Sequence, residues 1–146
     1  MFTAAEIFVL KNDLIVIADE IYEDIFYGSE PPLSIASLPG MRERTVVVGG
    51  FSKTYAMTSW RVGYAVVPTP LYASVQKIHQ YAVTCVSTFC QVGIANSIDR
   101  CSREVQEIRG LYKNFLCNLA ARDRKRGFAP ARFSGRFILI RDTQLF

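Results

Sequence analysis

Apolar residues along this chain fall into three short continuous runs, followed by two longer stretches with helical spacing. LIVIA (14–18) is continuous rather than alternating, as expected of a parallel strand covered on both faces. RTVVVG (44–49) reads as a second buried strand, and RVGYAVV (61–67) as a third, stopped by Pro68. Before the first run, Thr3 and Glu6 form a capping box that starts a short helix, which Asn12-Asp13 breaks. Between the first and second runs, GSEPPLSIASLPG reads as loop with one helical turn. Pro70 suits the first turn of a helix, and Leu71, Val75, Ile78 and Ala82 repeat at spacings of 4, 3 and 4, predicting an amphipathic helix over 71–83. After a break near Ser87 a longer helix is expected, with the seam Ile98, Cys101, Val105, Ile108, Tyr112, Phe115 and Leu119. Gly110 lies off that seam and does not end it; Gly127 does. RFILI (136–140) reads as a strand of a second unit.

Strands interleaved with loops and then helices predict an α/β fold, in which ligands gather at the carboxyl ends of the strands. Asp19 directly follows the first strand, and Lys53 comes four residues past the second. Two opposite charges therefore meet at one sheet edge. VVVGGFSKTY (46–55) carries glycines, a lysine and a threonine, but it is not a phosphate-binding P-loop. That motif needs glycine one and six residues before its lysine, where this chain has Ser52 and Val47. A P-loop also feeds a helix, whereas a strand follows here.

Composition narrows the classes. At 146 residues, half of them apolar and 12% aromatic, the chain matches one ordinary domain and not a disordered segment. No apolar run approaches the roughly 18 residues that span a bilayer, and the N-terminus lacks signal-peptide features, so a cytoplasmic protein is expected. Cys85, Cys90, Cys101 and Cys117 form no C-x-x-C pair, and His79 stands alone, so no metal site is expected. The net charge of +4 is uneven: residues 1–99 carry 6 basic and 9 acidic side chains, residues 100–146 carry 11 and 4. The densest cluster, RDRKRG (122–127), closes the long helical pattern, where cations complement the helix dipole. A solvated helix end accounts for it without nucleic acid.

Lys53 then needs a chemical role. A free lysine amine, with a pKa of about 10.4, is neutral in roughly one molecule in two thousand at pH 7. Desolvation or a neighbouring cation makes it a nucleophile that captures a carbonyl as a Schiff base. Among cofactors, pyridoxal phosphate supplies that carbonyl together with an electron-accepting ring, and asks for a partner at the ring nitrogen and for phosphate ligands. Asp19 suits the ring nitrogen, and Tyr22 can donate to the ring's phenolic oxygen. Arg61 offers a planar fork that matches phosphate, and Ser52 adds a hydroxyl.

ADEIYEDIFYG (18–28) followed by GGFSKTYAMTSWRVGYAVVP (49–68) closely resembles the class I/II, fold-type I, pyridoxal-phosphate-dependent aminotransferases, in their aspartate or aromatic branch. The block with lysine and arginine eight apart is highly specific. The resemblance implies that Lys53 is the catalytic, cofactor-bearing lysine and later shuttles the proton. It likewise implies that Asp19, Tyr22, Ser52 and Arg61 bind pyridoxal 5'-phosphate. The implied fold is part of a three-layer α/β large domain over residues 1–95, with a long helix and the beginning of a small domain over 96–146. The implied reaction is transfer of an amino group between an amino acid and a 2-oxo acid, in a family whose full-length members are homodimers. IHQYAVTCVSTFCQ (78–91) also resembles the family, near its usual dimer interface. Neither nucleic acid nor membrane is an expected partner.

The resemblance covers the middle of the family. The chain is expected to begin just after an NP-x-x-PTG-like motif, and to end before the arginine that grips the substrate carboxylate. Missing neighbours would leave strand edges open, a known aggregation risk. Arg136 stands where relatives carry a small residue, Ser59 where many carry glycine, and Gly50 where some carry a second phosphate-binding serine. Two alternatives stay open: a pyridoxal-phosphate lyase of the same fold, and a catalytically silent truncated fragment.

Overall fold

The computed structural model describes residues 4–28 and 30–125. Thr3, the helix stop expected at Gly127, the strand expected over 136–140 and the departure at Arg136 lie outside them.

The first helix, α1 (Ala4–Lys11), ends where Asn12-Asp13 was expected to end it. Asn12 Nδ2 donates to Phe8 O at 2.8 Å, and Asp13 turns into the left-handed region at φ +50°. A short polar side chain tolerates that conformation and competes for backbone partners, so the helix stops. Arg44 then ties this corner to the next strand, pairing with Asp13 Oδ1 at 2.9 Å and donating to Leu14 O at 3.2 Å.

Three strands form one sheet in the order β1-β2-β3: β1 (Val16–Asp19), β2 (Thr45–Gly50) and β3 (Gly63–Val66). Strands β1 and β2 run parallel, with Asp19 opposite Val48. Strands β2 and β3 run antiparallel, with Gly50 opposite Gly63. The long excursion between β1 and β2 is the Pro-rich segment. It holds the expected single helical turn, a 3₁₀ turn over Ile35–Ser37 capped by Ser34, and a second one at Arg42–Arg44 just before β2. The β2-to-β3 link is short because antiparallel neighbours need no crossover helix.

The sheet differs from expectation in its cover. Continuous apolar runs predicted burial on both faces, yet Ile17 is 76% exposed and all four residues of β3 are exposed. Both outer strands have open edges among the described residues. The apolar alphabet of these strands therefore asks for more cover than the described residues supply.

Helix α2 (Thr69–Ala82) carries Pro70 in its first turn, as expected. Leu71 and Val75 are half-buried, but Ile78 is 69% exposed, so its apolar stripe is only partly used. The longer helical stretch is two helices rather than one. Helix α3 (Thr88–Ser97) ends in a 3₁₀ turn at Ile98–Arg100, and α4 (Ser102–Lys125) restarts beyond it. At the break, Ser97 Oγ donates back to Gly93 O at 2.8 Å and Cys101 Sγ to Ser97 O at 3.2 Å. Side-chain bonds to carbonyls of the preceding turn bend helices, which a continuous apolar seam does not reveal. No described helix is long and apolar enough to cross a membrane.

The packed cluster nearest the site joins Val62, Cys90 and Ile94, flanked by Phe51, Met57, Val86 and Ile98. It fixes α3 beneath the loop between β2 and β3. Gly93 allows the close approach: a Cβ there would stand 2.9 Å from Trp60 Cζ3.

Candidate active site

Strand direction gathers the polar residues. Because β1 and β2 are parallel, their carboxyl ends share one edge; because β3 is antiparallel, its entrance lies there too. Asp19 is the last residue of β1, one position earlier than expected. Ser52 and Lys53 follow β2 by two and three residues, and Arg61 stands two residues before β3.

The loop that carries Lys53 is held by its own backbone. Phe51 O accepts from Tyr55 N at 3.3 Å and from Met57 N at 3.2 Å, and Lys53 O accepts from Ala56 N at 3.4 Å. A 3₁₀ turn at Thr58–Trp60 returns the chain to the sheet. At the loop's stem, a Cβ on Gly50 would meet Gly63 Cα at 3.1 Å and Val62 O at 3.3 Å. The Gly50–Gly63 pair therefore brings β2 and β3 close where the loop departs. A serine three before the lysine would be crowded at this spot, so Gly50 serves packing.

Each expected residue can be placed. Asp19 is exposed, and its Oδ1 accepts from Ile21 N at 3.1 Å, turning the chain as it leaves β1. Tyr22 sits half-buried in the turn that follows, where Glu23 N donates to Glu20 O and Ile25 N to Tyr22 O, each at 2.9 Å. Lys53 is half-buried, with Nζ 5.8 Å from the centre of the Tyr22 ring. This is a cation–π distance, and the ring face restrains the amine. Lys53 pairs with no carboxylate among the described residues.

Ser52 and Arg61 are joined through a residue to which the sequence assigned no role. Thr58 Oγ1 donates to Ser52 O at 2.8 Å, and Thr58 O accepts from Arg61 Nη1 at 3.0 Å. Arg61 takes the left-handed conformation at φ +56°, ψ +43°, so its backbone is set by the loop closure. One of its five N–H donors is used on Thr58 and the guanidinium stays exposed. Thr58 lies in the SKTYAMTSWR block; a hydroxyl between a serine and an arginine was the available signal. The structure thus brings Tyr22 to Lys53 directly and links Ser52 to Arg61 through Thr58. Asp19 shares their edge without bonding to them.

Next to Tyr22 in sequence stands Glu23, which pairs with Tyr64; neither was assigned a role from sequence. Tyr64 Oη donates to Glu23 Oε1 at 2.6 Å. The Phe51 ring lies 5.8 Å from both Tyr55 and Tyr64, tilted to each. The Tyr64 hydroxyl is raised well above the ordinary tyrosine range by burial, then by its bond to Glu23. Tyr55 is raised by burial first and then by Asp24 and its neighbours.

A half-buried lysine thus stands past the carboxyl end of β2 with a phenol ring 5.8 Å from its amine, and a carboxylate and an anchored arginine fall at the same edge of the sheet. Residues 3–143 match the family model described as aminotransferase class I and II. The chain belongs to that family. It is 38% identical over 143 residues to an aspartate aminotransferase of Pyrococcus abyssi, covering 94% of this chain and 37% of that protein. It is 35% identical to aromatic-amino-acid aminotransferase 2 of Thermococcus litoralis, again over 94% of this chain and 37% of the relative. The crystal structure of an aromatic aminotransferase from Pyrococcus horikoshii superposes with a TM-score of 0.82 at 39% identity, over 89% of this chain and 35% of that one. The chain therefore spans little more than a third of the length of these relatives.

Proposed function

We propose that this chain carries the lysine-centred portion of a pyridoxal-phosphate-dependent aminotransferase, which moves an amino group between an amino acid and a 2-oxo acid. The observation that supports the reading most is the placement of Lys53 Nζ against Tyr22, unpaired with any described carboxylate, at an edge shared with Asp19 and Arg61.

The donor set suits the cofactor chemically. Lys53 would hold its aldehyde carbon, Tyr22 its ring oxygen, and Asp19 a proton at its ring nitrogen; Asp19 spends only Oδ1 on the protein. Ser52 and Arg61 would hold the phosphate, with Arg61 aimed by Thr58. When bound, the cofactor supplies an aldehyde for an amine to capture and a ring that takes up the electrons released at the amino acid's α-carbon. Lys53 would do the proton work, its Nζ serving as the base that takes a proton from the amino acid's α-carbon and as the acid that gives one back. Tyr22 limits the directions in which Nζ points while it does so.

The names of the relatives favour acidic and aromatic amino acids as donors. The helix break at Ile98–Arg100 supports a division in which residues 1–95 belong to a large cofactor-binding domain and 96–146 begin a small one. A homodimer is the assembly we assign to the whole enzyme.

The test is a pyridoxal phosphate titration followed by borohydride reduction and peptide mapping, beside Lys53→Ala. One cofactor trapped on Lys53, and none specifically trapped in the variant, is expected. Labelling scattered over surface lysines, alike in both proteins, would end the proposal.

A further inference from the structure

The Tyr64 side chain has an unusual course. Tyr64 is on β3, directly opposite Gly49 of β2, and its hydroxyl reaches Glu23, which follows β1. To do so it crosses over β2. The crossing is possible because residue 49 is glycine: an added Cβ would overlap the phenol, standing 2.8 Å from Cε2 and closer still to Cζ. Phe51, at the root of the lysine loop, packs against the same ring. One side chain thus spans all three strands at the edge where the site lies.

Its partner is the neighbour of Tyr22. The turn after β1 starts on the ladder, through Glu20 N to Val48 O at 2.8 Å, and Ile25, buried, fixes its exit. Between those anchors, the described residues hold Tyr22 and Glu23 by local backbone bonds, the Tyr22–Lys53 contact and the Tyr64 bridge. We propose that the Glu23–Tyr64 bridge, laid over Gly49, is a positioning device that holds the 20–25 turn so that Tyr22 stays against Lys53. The inference rests on the functional reading above only in what it says of the cofactor. Neither residue is catalytic; both act through Tyr22. A charge-assisted bond of 2.6 Å between residues 41 apart in sequence is suited to this, because it ties the turn after β1 to β3, a strand that does not pair with β1.

The test is residue-resolved amide exchange on the full chain, with Tyr64→Phe, Glu23→Gln, Glu23→Ala and Gly49→Ala, combined with pyridoxal phosphate titration. Tyr64→Phe keeps the ring and removes the donor. The amides of Glu23 and Ile25 are then expected to exchange roughly tenfold faster, while those of β2 keep their wild-type rates. Glu23→Ala and Gly49→Ala are expected to match it. Glu23→Gln, whose amide oxygen still accepts, restores most of the protection. Apparent cofactor affinity is expected to fall by about tenfold in the first three and to recover in Glu23→Gln. Unchanged turn exchange in Tyr64→Phe overturns the bridge. Uniform acceleration that includes β2 overturns the positioning role, since Tyr64 would then serve global stability. Faster turn exchange with unchanged affinity overturns the link to Lys53. Should wild-type chain trap no cofactor on Lys53, the functional reading and the link to Lys53 both fall, and the exchange data still decide whether the bridge holds the turn.

Discussion

Replacing Arg61 with alanine removes the guanidinium without touching the lysine. The structure sets the size of the effect. Arg61 is exposed, and one N–H is committed to Thr58 O at 3.0 Å, leaving the outer face of the fork for a dianion. A hydrogen bond to a charged group contributes about 1.5–3 kcal/mol, and the exposed position argues for the lower half of that range per bond. Two such bonds, about 3–4.5 kcal/mol together, make the variant's affinity for pyridoxal phosphate roughly a hundred- to a thousand-fold weaker. Arg61→Lys keeps the charge but loses the fork, so an intermediate loss is expected. Absorbance titration measures it, and pyridoxal, which lacks the phosphate, is the control. Its affinity is expected to be the same in wild type and Arg61→Ala. Equal affinity of Arg61→Ala and wild type for pyridoxal phosphate would refute the phosphate assignment. An equal loss for pyridoxal would show that Arg61 acts on the loop instead.

Two further predictions concern stability. Thr84 follows the end of α2 with φ +69°, a conformation that costs a β-branched residue energy, and its N–H caps Gln80 O at 3.2 Å. Thr84→Gly keeps the cap and is expected to raise unfolding stability by about 1 kcal/mol in urea; a loss would contradict the strain argument. Tyr64 and Tyr55 hold their protons more tightly folded than unfolded, chiefly through burial. Above about pH 10 the unfolded chain therefore loses protons that the folded chain keeps, and stability falls as pH rises. The urea midpoint is expected to drop more steeply between pH 9 and 11 in wild type than in Tyr64→Phe; parallel slopes would remove Tyr64 as a cause.

Much of the molecule was legible in the order of its residues. Strand identity followed from three β-branched runs, the end of α1 from Asn12-Asp13, and the start of α2 from Pro70. All of these depend on neighbours a few residues away, so local chemistry sufficed. Motif spacing likewise carried the family, because Lys53 and Arg61 keep their separation inside a specific block.

What escaped depends on chain segments meeting. The split between α3 and α4 turns on Ser97 and Cys101 bonding back to the preceding turn, while the apolar seam runs through unbroken. The exposure of Ile17 and of β3 reflects what lies beside the sheet, not what the strands contain. Thr58 and the Glu23–Tyr64 bridge join residues through loop closure and strand register. Gly49 looked like one half of a glycine pair before a lysine; only its place opposite Tyr64 made it the gap over which a side chain crosses β2. Sequence determined which groups are present and at which strand ends they fall. The tertiary structure decided which of them touch, because contact distances depend on how the parallel and antiparallel strands register and how tightly the connecting loops close.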